Sequence, residues 1–143
     1  MTEPRLDDTL GYIMNRVARK IHYQLNDLFK GWGITVDQWT ALRFIAEDGP
    51  LCQKSLAEKL EKNQNTIKAM VDQLSKRELI HRKPDEKDKR LMVLTLSDKG
   101  KALIAEIEPK EEEINTCVTN GLTEEEEQTV ITLLRKIEKA IQS

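Results

Sequence analysis

The apolar positions of this chain fall into helical stripes at both ends and a short mixed segment between them. Leu10, Ile13, Met14, Val17, Ile21, Leu25 and Leu28 recur at helical spacing. They predict a long first helix, capped by Asp8 or Thr9, running to about Phe29 and stopped by Gly31 and Gly33. Trp39, Leu42, Ile45 and Ala46 mark a second helix capped by Thr35 or Asp37 and ended by Asp48-Gly49-Pro50. Near the C-terminus, Ser97 caps a helix containing Leu103, Ile104 and Ile107, in which Pro109 should produce a bend or break. Asn120-Gly121 ends it. Thr123 and Glu126 form a capping box for a last helix lined by Val130, Ile131, Leu134, Ile137 and Ile141.

The middle segment, Gln53 to Leu96, holds three patterns in succession. Leu56, Ala57 and Leu60 make a short amphipathic helix. Asn63 then caps a helix whose apolar stripe is Ile67, Met70, Val71 and Leu74. Two short helices joined by the polar turn Glu61 to Asn63 are a helix-turn-helix candidate. A hairpin follows. Ile80 to Lys83 extends, Pro84 ends the run, and Leu91 to Leu96 is strand-prone. Its tip, Asp85 to Arg90, has no apolar residue and is therefore built for water or for a polyanion.

These residues resemble the winged helix-turn-helix of the MarR family of bacterial transcriptional regulators. The matching positions are Leu56-Ala57 and Leu60, Thr66-Ile67 and Val71-Asp72-Gln73-Leu74, the wing Asp85 with Asp88-Lys89-Arg90, and its exit Leu94, Leu96-Ser97 and Gly100. Ile34-Thr35, Gln38-Trp39 and Leu42 extend the likeness ahead of the module. The wing pattern is the more specific part. The chain departs from the family at Glu78, where glycine is usual. It departs again at Lys68 and Ala69, where a small polar and a basic residue are common, so no operator sequence carries over.

Charge changes the picture by its placement. The chain has 143 residues and a formal net charge of −2, which excludes indiscriminate nucleic-acid binding by bulk charge. Yet Gln53 to Arg90 holds eleven basic against seven acidic residues, a net of about +4, leaving about −6 for the rest. Glu111-Glu112-Glu113 and Glu124 to Glu127 carry much of that acid. No stretch is apolar enough to span a membrane, and the opening MTEPRLDD lacks the apolar core of a signal peptide. The expected setting is the cytoplasm.

A recognition helix reads base edges with its N-terminal half, here Asn63, Gln64, Asn65, Thr66, Lys68 and Ala69. Amides pair with adenine, and threonine reaches a thymine methyl or a phosphate. The other reading of the same residues is helix capping with a solvated face. At the wing tip, Lys87, Lys89 and Arg90 suit a narrow minor groove. On the plainer reading Asp88 simply holds Arg90 in place; the resemblance implies that this Asp–Arg pair shapes the wing and that its arginine approaches the minor groove. Lys54, Ser55, Arg77 and Arg82 are candidate phosphate contacts.

The end helices have no place in a small winged-helix core. Either they pair with a second chain or they fold into a bundle within one. The resemblance implies the first, since that family dimerises through its terminal helices. It also implies a small aromatic or phenolic effector bound between those helices and the winged module. His22, Trp39 and Arg43 are the candidate pocket, an arginine beside an aromatic ring being able to hold a carboxylate or phenolate. The plainer reading makes Trp39 core and the other two surface. The peroxide-sensing branch has a cysteine near the start of the first helix, where this chain has Met14, Asn15 and Arg16. Cys52, near a helix start, and Cys117 are either redox-active or inert.

No cofactor or metal is expected. His22 and His81 are the only histidines, neither lies in a ligand pattern, and no nucleophile–base spacing or phosphate loop is present, so the chain does not read as an enzyme. The expected architecture is mainly α with a small β-hairpin wing, a single domain over residues 1–143. Within it, residues 35–96 form the DNA-binding module and residues 8–30 and 98–142 the dimerisation helices. The expected partners are double-stranded DNA, a second copy and a small effector, with no membrane. A winged-helix protein-interaction module is the competing class.

Overall fold

The computed structural model describes residue 3 and residues 5–142. Met1, Thr2 and Pro4 of the polar opening, and Ser143, lie outside the described residues. A single 3₁₀ turn, Leu6–Asp8, leads into α1 (Leu10–Lys30). Thr9 occupies the N-cap, and its hydroxyl donates to the Leu6 carbonyl at 2.8 Å. The chain continues through α2 (Val36–Asp48), β1 (Leu51–Cys52), α3 (Gln53–Leu60), α4 (Gln64–Lys76), β2 (Ile80–Pro84), β3 (Met92–Leu96), α5 (Asp98–Thr119) and α6 (Glu124–Ile141).

Each helix start follows from local chemistry. Thr35 and Gln38 cap α2 reciprocally, the Thr35 Oγ1 accepting from the Gln38 N–H and the Gln38 carboxamide from the Thr35 N–H, both at 3.0 Å. Asn63 caps α4, its Oδ1 accepting from the Thr66 N–H at 2.8 Å. Thr123 and Glu126 form the capping box of α6.

Strands β2 and β3 pair antiparallel from Ile80 opposite Leu96 to Pro84 opposite Met92, and β1 adds to the other edge of β3 with Leu51 opposite Leu94. The sheet order is therefore β1-β3-β2. Strand β1 is a feature the periodicity misses, because two residues after a proline carry no alternation. The core lies under this sheet. Leu42 and Ile45 of α2, Leu56 of α3, Ile67, Val71 and Leu74 of α4, Leu79, Leu94, and Ile104 and Ile107 of α5 are all buried. Burying one such side chain contributes about 1.5–3 kcal/mol.

Pro109 neither breaks nor ends α5, so the break that the sequence allows there does not occur. The helix runs unbroken from Asp98 to Thr119. Ile104 and Ile107 anchor it in the core on one side of the proline, and Glu111 ties it to α2 on the other. These contacts offset the one hydrogen bond that the proline removes.

The turn after α4 explains two motif positions. Ser97 caps α5 by accepting from the Gly100 N–H at 3.0 Å, while its own hydroxyl donates to the Glu78 carbonyl at 2.6 Å. Gly100 is held so close that a Cβ there would stand 2.2 Å from the Leu79 carbonyl oxygen. Glu78, flagged in the sequence as standing where glycine is usual, has φ 61°. A left-handed conformation disfavours residues with a Cβ. Replacing Glu78 by glycine therefore should stabilise the fold by about 0.5–1 kcal/mol, the relief of strain less the added freedom of the unfolded chain. The midpoint of chemical denaturation checks this, and a lower midpoint would show the turn to be unstrained.

Candidate nucleic-acid interface

Helix α4 presents two faces. Ile67, Met70, Val71 and Leu74 are buried, and Gln64, Asn65, Thr66, Lys68, Ala69 and Asp72 stand exposed on the other side. The four buried residues lock the helix's rotation about its own axis. Its polar face is thereby a rigid surface, free to meet base edges. Asn63 plays the capping role: its carbonyl oxygen accepts from the Thr66 N–H, while its amide nitrogen makes no such bond. The fixed orientation of α4 also owes something to pairings that the sequence did not show. Gln38, almost buried on α2, donates to the Gln73 side chain at 3.0 Å, and Asp72 holds Arg82 of β2 at 2.6 Å. Both pairs link positions distant in sequence, and spacing gives no sign of them.

The wing is stiffened at its tip. The Asp85 N–H donates to the Leu91 carbonyl and the Leu91 N–H to the Asp88 carbonyl, both at 2.9 Å, and the Asp85 carboxylate accepts from the Asp88 N–H at 3.1 Å. Asp88 grips Arg90 at three points, through its backbone N–H at 3.1 Å and the guanidinium at 3.0 and 3.2 Å. The guanidinium beside it holds the Asp88 carboxyl below the usual carboxylate range, and the same contact raises Arg90. The pair holds the guanidinium itself, while 90% of the Arg90 side chain remains exposed. Lys87 and Lys89 are exposed on either side.

Three of the expected phosphate contacts are placed differently. Arg77 turns inward and donates to the Gly33 and Trp32 carbonyls, each at 2.9 Å. Those carbonyls follow the end of α1, where helix carbonyls lack partners and a guanidinium fork satisfies two at once. Arg82 is neutralised by Asp72. The Ser55 hydroxyl lies 3.1 Å from the Cys52 sulfur, which caps α3. That hydroxyl, more than the backbone N–H groups, draws the Cys52 thiol below its ordinary pKa against the opposing effect of burial. Cys117 is exposed.

The expected effector trio does not assemble. Trp39 is core, 2% exposed, with its indole N–H donating to the Glu111 carboxylate. Arg43 lies beside it, but His22 is exposed on α1 and lines none of the hollow that Trp39 and Arg43 share with Phe44, Glu47 and Glu111. Nor is Arg43 free to hold a ligand carboxylate, because Glu47, Glu108 and Glu111 all lie within 3.3–3.6 Å of its guanidinium nitrogens. The sequence showed Glu111 only as part of an acidic run. Its pairing across to α2 becomes visible only once α5 is packed.

Two short helices with an exposed polar second helix, followed by a charged hairpin, define a winged helix-turn-helix protein. The MarR family model matches residues 34–92, which span α2 to the start of β3. A probable transcriptional regulator from Pseudomonas aeruginosa is 33% identical, with a TM-score of 0.80 over 93% of this chain and 99% of its own. The transcriptional repressor NicR of Pseudomonas putida is 30% identical over 104 residues, 73% of this chain and 66% of the repressor. A mutant MarR from E. coli complexed with operator DNA has the same fold, with a TM-score of 0.82 at 22% identity, covering 94% of this chain and 99% of its own. The chain belongs to the MarR family of transcriptional regulators.

Two substitutions test the surface. Arg90→Ala should weaken duplex binding by roughly 1–3 kcal/mol, the range of one good groove contact, with folding unchanged. Unchanged affinity in a fluorescence anisotropy titration at moderate salt would remove Arg90 from the interface. Gln64→Ala and Asn65→Ala should each relax base preference more than they reduce non-specific binding. Retention of the parent's full preference by either mutant, measured against a panel of single-base variants, would mean that side chain reads no base.

Proposed function

We propose that the protein is a sequence-specific repressor of transcription that binds a pseudo-palindromic operator as a homodimer and is released by a small ligand. It acts in the cytoplasm and catalyses no reaction. The observation that carries this reading is the pairing of a rigid polar helix face with a charged wing tip, in a chain whose end helices leave apolar stripes in water. Leu10, Ile13 and Val17 of α1 are 41–59% exposed, as are Val130, Leu133 and Leu134 of α6 at 41–51%. Apolar patches of this kind mark an interface. A two-fold pairing of α1, α5 and α6 with the same helices of a second copy covers them and sets two α4 helices a fixed distance apart. Residues 35–96 then serve as the reading module, and residues 8–30 and 98–142 as the dimer core.

Gln64, Asn65, Thr66 and Lys68 read the major groove, Lys87, Lys89 and Arg90 the minor groove. Asn63, Ser55 and Asp88 support them by capping or orienting. The hollow between α2 and α5 is the place for a ligand, because it lies where the reading module meets the dimer core. A ligand that alters that junction changes the spacing of both modules together.

Selection of bound duplexes from a random pool tests the reading. The expected product is a site with two-fold symmetry whose affinity falls steeply with salt. Failure to enrich any sequence at low salt would contradict it. Removal of residues 123–143 should leave a monomeric or aggregated protein whose affinity for the selected duplex drops at least tenfold, because each module then binds one half-site alone. A truncated chain with undiminished affinity would show that α6 has no part in assembly.

A further inference from the structure

The open hollow of about 260 Å³ between α2 and α5 is lined by Trp39, Thr40, Arg43, Phe44, Glu47 and Glu111. Its aromatic rings already hold cations of the chain itself. The Arg43 guanidinium lies over the Trp39 ring at 5.7 Å from its centre, and the Lys59 ammonium over the Phe44 ring at 5.4 Å. Around Arg43 stand the carboxylates of Glu47 at 3.3 Å, Glu111 at 3.4 Å and Glu108 at 3.6 Å. Lys59 is itself paired with Asp48 at 3.1 Å. The hollow is thus lined by two carboxylates and one cation, with Glu108 and the Lys59–Asp48 pair beyond the lining, a surplus of negative charge beside two ring faces that attract positive charge. An aromatic acid entering here meets repulsion from every carboxylate, and no unpaired arginine receives it.

We propose that this hollow binds a small organic cation with an aromatic or alkyl body, in competition with Arg43. The ligand's charge takes the place of the guanidinium over Trp39 and against Glu111, and its apolar body lies along Phe44. Arg43 is the residue that joins α2 to Glu108 and Glu111 of α5. Displacing it loosens the junction between the reading module and the dimer core, so the ligand is bound more tightly by the loosened state than by the latched one. The inference rests on ligand release as proposed above and adds the chemical class of the ligand.

The test uses the full chain carrying Trp32→Phe, which leaves Trp39 as its only indole. Benzyltrimethylammonium and benzoate, similar in size and opposite in charge, are titrated separately while Trp39 fluorescence is followed. The cation should saturate the signal and benzoate should not. Glu111→Gln, which keeps an oxygen for the Trp39 indole, should weaken the cation at least tenfold, and Glu47→Gln should weaken it in the same direction. Isothermal titration of the unsubstituted protein checks that Trp32→Phe has not altered the site. Equal or tighter binding of benzoate, saturation by neither ion, or full affinity in Glu111→Gln would each overturn the proposal. Because fluorescence reports the hollow without DNA, the two readings fail separately. Cation binding by a protein that holds no duplex would support the site and overturn DNA binding. Duplex binding with no preference for the cation would do the reverse.

Discussion

Helix α6 has no buried residue, and among the described residues it makes no substantial contact with any other element. Eighteen residues of helix with an apolar stripe do not hold themselves in water, since most helical stability comes from covering such a stripe. The same need appears on α1, where Phe29 alone is buried. A cover for these stripes is the constraint on which the rest depends. The reading module is already complete within one chain, with its own core and sheet. What the single chain leaves uncovered is its ends, and in the proposed dimer the cover for them decides how far apart two α4 helices stand.

Inside the module, rigidity comes from several independent ties. The buried stripe of α4 fixes its rotation. Gln38–Gln73 and Asp72–Arg82 hold it to α2 and to the wing, and Arg77 holds its C-terminal end to the loop after α1. An arginine used in this way ties the end of α4 to the loop after α1. Helix α2 also meets α5 through Trp39, Arg43, Glu108 and Glu111, beside the core that Ile104 and Ile107 of α5 share with the module.

The helices and their caps were legible because each depends on neighbours in sequence. Thr35 with Gln38, Asn63 with Thr66 and Thr123 with Glu126 are all three residues apart. The polar face of α4 and the charged wing tip were legible for the same reason, whereas Glu78 stood out only against the family's usual glycine. Long-range polar pairs were not. Arg77, Arg82 and Arg43 read as free cations in the sequence, and each finds a partner ten to sixty-eight residues away. Only Arg43 with Glu47 lies at helical spacing; the partners on other elements leave no mark in the spacing along one helix. Proline 109 misled in the opposite direction. A local breaker was overruled by contacts on both sides of it.

Sedimentation equilibrium of the intact chain at micromolar concentration tests the central claim most directly. One chain has a mass of 16.5 kDa. The account predicts a single species of twice that mass, binding one selected duplex per pair of chains. A stable species of one-chain mass that holds the full operator tightly would contradict it.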